Sequence, residues 1–149
     1  MTPLLTTSLI VHVITGILAI GFVNIVLMHT MRKSISWPYF KKIAGWSVAF
    51  FLISWATAAY YYVVYYGGAV KPVILKGAYP WAHQIIMESK EHVFILLPFL
   101  AIALWLLTHY LEKTTDDNAK RAGTTLAFVT LALGAIIAAA GVAISGAAR

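Results

Sequence analysis

The sequence predicts an all-α fold, an integral membrane four-helix bundle that is antiparallel and connected up-down-up-down. Three observations predict it. Only 16 of the 149 residues are charged, 61% are apolar, and the apolar residues gather in four long runs separated by short polar connections. A soluble domain carries roughly 25% charged residues, so 11% excludes an ordinary cytosolic enzyme, a disordered chain and a nucleic-acid binder. The net charge of +6 reads as loop residues that set membrane orientation. The chain has no cysteine, which excludes disulfides, thiolate metal sites, iron–sulfur clusters and covalently attached haem.

The four runs are Leu9 to Met28, Ile43 to Val64, Val93 to Thr108 and Thr124 to Ile144. A helix rises 1.5 Å per residue, so about 20 apolar residues cross a hydrocarbon core of roughly 30 Å. The runs are continuous rather than alternating, which argues against a barrel. Extended by flanking polar residues, they predict helices at about 5–30, 42–66, 81–111 and 121–146 within a single domain, 1–149. No basic residue precedes Arg32 and no small-residue cleavage pattern follows the first run, so this run is expected to be a helix of the mature protein. Tyr60, Tyr61, Tyr62, Tyr65 and Tyr66 at the end of the second run read as an interfacial aromatic belt, with a platform for a quinone or porphyrin as the alternative. The fourth run, with Gly134, Ala138, Gly141 and Ser145, reads as a close-packing face.

The connections at 31–42 and 112–121 share one side and hold seven basic residues: Arg32, Lys33, Lys41, Lys42, Lys113, Lys120 and Arg121. The other side holds Lys71, Lys76, Lys90 and Arg149. The positive-inside rule then places the protein in an inner or plasma membrane with both termini outside.

Ionisable residues within membrane helices are functional candidates by default. His12 and His29 fall on the first helix, and His83, His92 and His109 on the third. His29 lies three residues before Arg32, and His109 four before Lys113, so these two are nearly level. His12 and His92 each lie 17 residues further out, about 25 Å by helix rise, and are also level. Two histidines at one depth on parallel helices suit bis-histidine ligation of a haem, with His12 and His92 as iron ligands and Gly16 making room for the macrocycle. A second haem at His29 and His109 is less favoured. Seventeen residues leave the inner pair roughly 100° out of phase on ideal helices, whereas about 14 would keep both pairs in register. One haem is therefore expected rather than two.

The polar stretch from His83 to His92 offers alternatives. Residues 81–91 read as a solvated projection beyond the bilayer, on which His83 and Lys90 point away from His92. Glu88, Glu91 and His92, with His12, could instead hold zinc, copper or iron at a non-haem site. A ferritin-like di-iron centre lacks carboxylates, and no Ser/His/Asp triad or glycine-rich phosphate loop is present.

In its four spans, its lack of cysteine and its level pairs His12/His92 and His29/His109, the chain resembles four-helix integral membrane b-type cytochromes. The resemblance implies non-covalent haem b and electron transfer linked to a quinone in the bilayer and to a redox partner outside. The expected function is electron transfer rather than stand-alone catalysis. The alternatives are a non-catalytic accessory subunit of a larger membrane complex and a membrane metal-binding protein.

Overall fold

The computed structural model describes residues 1–32 and 36–149, and every regular element in them is helical. Lys33, one of the seven basic residues counted above, lies outside the described residues. Four helices are long and apolar enough to cross a membrane: α1 (Pro3–Thr30), α2 (Trp37–Lys76), α3 (Ala82–Leu111) and α4 (Asp117–Ala147).

Their ends follow local chemistry. The Thr2 hydroxyl accepts from the Leu5 amide at 3.4 Å, and Pro3 occupies the first turn of α1, where its missing N–H is harmless. The Asp116 carboxylate accepts from the Asn118 amide at 2.9 Å and starts α4. Pro38 stands in the first turn of α2, so this helix begins five residues before the expected position 42.

α2 also runs ten residues past its expected end at 66. From Tyr62 to Val70 it widens into a π-helix, then resumes as a short α-helix over Lys71–Lys76. Pro72 falls in the first turn of that restart, so it does not break the rod. The Gly67-Gly68 pair has open space around both Cβ positions. α3 opens with a second π-helical stretch, Ala82–Met87, before the α-helix Glu88–Leu111. The expected projection at 81–91 is partly packed: Ala82 is fully buried and His83 is 2% exposed.

α1 packs on α2, α2 on α3, α3 on α4, and α4 closes back on α1. Each helix buries a stripe spaced by three and four residues. In α1 the stripe includes Thr15, Ala19, Val23 and Val26, and in α3 Leu97, Ala101, Leu104, Thr108 and Leu111. The main core joins Val23, Phe40, Phe51, Leu97, Leu104 and Ile137. A second, smaller core of Tyr66, Ile74, Ala82 and Ile144 fills the end where α2 turns into α3. At the opposite end, Lys41 of α2 forms a 2.9 Å ion pair with Glu112, just past α3. The outward faces carry large apolar side chains, with Phe99 65% and Val142 75% exposed.

Candidate functional site

A cleft of about 520 Å³ opens between α1 and α4, floored by α2 and α3. Its walls are apolar, from Ile17, Phe51, Leu97 and Ile137, and its polar groups are His12, Ser54, Lys90, Ser145 and Arg149. A few convergent polar groups on an apolar wall are the pattern of a small-molecule site. The 600 Å³ hollow at the opposite end, between Thr30 and Asp117–Thr125, lacks such a wall.

Small residues create the cleft. A Cβ on Gly134 would come within 3.0 Å of Ile20, and one on Gly141 within 3.3 Å of the Lys90 Nζ. The Lys90 ammonium therefore lies over the Gly141 backbone, inside the cleft lining. Gly16 lines the cleft too, but a Cβ there would meet the Ser54 hydroxyl at 3.2 Å. Its small size serves the approach of α1 to α2 as well as the space of the cleft.

His12 is half-buried and held in place. Its Nδ1 lies 2.9 Å from both the carbonyl and the hydroxyl oxygen of Ser54, whose hydroxyl donates at 3.1 Å to the His12 carbonyl. A carbonyl oxygen only accepts, so Nδ1 carries the proton, and Nε2 is left bare whenever the ring is neutral. Phe94 meets the imidazole edge-on at a centroid distance of 5.8 Å.

His92 is exposed and lies outside the cleft, with Nδ1 donating to the Glu88 carbonyl at 2.7 Å. The reason is helical phase. Lys90 and Phe94 line the cleft, and two residues turn a helix by about 200°. The structure thus places His12 in the cleft and His92 on the outward face of α3. The inner pair is separated in the same way. His29 donates to the Ile25 carbonyl at 2.9 Å and packs against Tyr39 and Phe40 of α2. His109 is exposed, donating to the Trp105 carbonyl at 3.0 Å.

Of the suggested non-haem ligands, Glu88 is exposed while Glu91 is half-buried. Among the described residues no three His, Asp or Glu side chains converge as a metal site.

A second polar cluster sits in the small core between the two π-helical stretches. The Tyr66 hydroxyl and His83 Nδ1 are 3.1 Å apart, and the Glu88 carboxylate lies 3.7 Å from His83 Nε2. Tyr62 and Tyr66 stack at 5.2 Å. Tyr66 is 3% exposed, so it is a core residue rather than part of an aromatic belt.

Ser54 carried no signal in the sequence, and the sequence assigned Tyr66 to an interfacial belt or ligand platform and His83 to a solvated projection, whereas the structure buries both in the small core. The spacing Leu97, Ala101, Leu104 continues backwards through Phe94, Lys90 and His83, but only the packed structure shows that this face is the buried one. Comparison with protein families, with curated proteins and with solved structures finds no match to this chain.

Proposed function

We propose that the protein is an integral membrane electron-transfer protein that takes a lipid-soluble quinone into the cleft beside His12. One observation carries this reading: a histidine with a fixed tautomer and a bare Nε2 lines an apolar-walled cleft that also contains a lysine. A quinone has an apolar ring and tail and two oxygens that need hydrogen-bonding partners. His12 Nε2 accepts from a quinol hydroxyl, and the Lys90 ammonium donates to a quinone carbonyl. Gly134 and Gly141 leave room for the ring, and Ile17 and Ile137 cover its apolar edge. When bound, the quinone supplies two-electron, two-proton chemistry, and a redox partner outside the membrane exchanges the electrons.

The outward apolar side chains are lipid-facing in this reading, and the helices alternate in direction across an inner or plasma membrane. The Lys41–Glu112 pair, which joins the start of α2 to the end of α3, supports that alternation. The excess of basic residues at this end supports a cytoplasmic location for it, with both termini outside.

Haem b on His12 is the second reading. It is favoured by the Nδ1–H donated to a backbone carbonyl, the support that metal-ligating histidines usually have. Bis-histidine ligation with His92 does not fit, because His92 is on the outward face. The quinone therefore stands first.

The test uses the full chain in lipid nanodiscs, titrated with a short-chain benzoquinone and followed by tryptophan quenching. Saturable quenching that is lost in His12→Ala supports the quinone site. Quenching that is linear and equal in both proteins overturns it. A Soret band that disappears in His12→Ala would move the assignment to haem.

A further inference from the structure

Among the described residues, two buried side-chain polar atoms have no hydrogen-bond partner: His83 Nε2 and Glu91 Oε1. Buried polar groups are nearly always paired, so each needs an explanation. Both belong to the same end of the bundle. The His83 side chain is 3% exposed, whereas the Glu88 side chain is 54% exposed. The Glu91 carboxylate faces the phenols of Tyr62 and Tyr66. His83 and Tyr66 each lie on a π-helical stretch, a local widening that recurs at functional sites.

We propose that Glu88, His83 and Tyr66 form a proton-transfer path from the aqueous surface to the half-buried Glu91, whose Oε1 is buried and unpaired. Glu88 is the outer group and exchanges protons with water. The 3.7 Å gap from its carboxylate to His83 Nε2 is too long for a hydrogen bond and closes with a side-chain rotation or one bridging water. A proton from Glu88 enters the ring at Nε2, and the Nδ1 proton leaves to the Tyr66 oxygen 3.1 Å away. The Tyr66 hydroxyl proton moves on to Glu91 through a bridging water or a side-chain rotation, because Glu91 Oε1 has no hydrogen-bond partner. One proton enters, one leaves, no electron moves, and the ring resets by exchanging its tautomer.

Two carboxylates, three phenols and one ammonium lie on or beside the path: Glu88, Glu91, Tyr61, Tyr62, Tyr66 and Lys90, the last next to Glu91 in sequence and lining the cleft. The path therefore ends next to the cleft. What its protons serve rests on the quinone reading, because reduction of a quinone in the cleft must take up two of them. The path itself does not rest on it.

The test is separable for that reason. In ligand-free full-length protein carrying ¹⁵N-histidine, in nanodiscs, the His83 imidazole proton is expected to exchange with water despite its burial. That exchange is expected to slow at least tenfold in Glu88→Gln, an exposed substitution that leaves the core intact. An exchange rate unchanged in Glu88→Gln overturns the path, as does a wild-type ring that fails to exchange over hours. With a short-chain benzoquinone bound and reduced at an electrode, Tyr66→Phe is expected to slow proton uptake while leaving the quinone Kd unchanged. Equal uptake rates overturn the link to the cleft. Absence of quinone binding overturns only the quinone reading, since the exchange measurement needs no ligand.

Discussion

His12 Nδ1 lies 2.9 Å from the Ser54 carbonyl oxygen and 2.9 Å from its hydroxyl, so a single residue of α2 sets the tautomer of the histidine on α1. Ser54→Ala removes the hydroxyl and leaves the carbonyl. The ring should stay in the cleft with a looser orientation, and quinone affinity should fall about fivefold, the equivalent of one hydrogen bond of roughly 1 kcal/mol. Titration in nanodiscs checks this. His92→Ala should bind as tightly as wild type, and a loss equal to that of His12→Ala would mean that His92 reaches the cleft after all.

The Lys41–Glu112 pair should make stability depend on pH in one direction. The hydrogen bond from the Lys41 ammonium, with its charge, holds the Glu112 carboxyl below the ordinary carboxylate range. A group with a depressed folded pKa stabilises above its unfolded pKa and loses that contribution as pH falls through the folded value. Wild type should therefore melt at a higher Tm than Glu112→Gln at neutral pH. The gap should close below the ordinary carboxylate range, under roughly pH 4. A gap that does not narrow at all as pH falls from neutral through the ordinary carboxylate range and below would show that the carboxylate charge is not its source.

Gly134 should be intolerant of a side chain. Its Cβ would sit 3.0 Å from Ile20, so Gly134→Val must push α4 away from α1, at a cost of about 1–3 kcal/mol for overpacking. Gly67→Ala has open space and should unfold within about 0.5 kcal/mol of wild type. Denaturation in mixed micelles measures both, and equal stabilities would mean that α1 and α4 are not in close contact there.

The proposed orientation predicts that a cysteine near the C-terminus is outside. The chain has no native cysteine, and nothing lies within 4 Å of a Cβ at Gly146, so Gly146→Cys gives a single reporter. It should react with a membrane-impermeant maleimide in intact cells. Labelling only after the membrane is opened would invert the topology.

The sequence by itself determined that this is a chain of four long apolar helices. Continuous apolar runs of about 20 residues allow few other structures, and α1 and α4 fall within a few residues of their expected bounds. It also determined that the histidines lie on α1 and α3. The bounds of α2 were not legible, because Gly67-Gly68 and Lys71-Pro72 signal a loop by composition. Only the packed structure shows the π-helical widening that carries the helix through them.

Tertiary structure alone decided which face of α3 points inward. The opposition of His83 and Lys90 to His92 follows from a 100° turn per residue, but in a helix that is apolar nearly all round, hydropathy does not choose between the two faces. That choice came from packing: Leu97, Ala101 and Leu104 interlock with the neighbouring helices and carry Lys90 and His83 inward with them. His92 is left facing out. Counting residues assigns each histidine to its helix, whereas azimuth depends on which side chains fit against their neighbours, so the helix that carries each histidine was legible and the face it occupies was not.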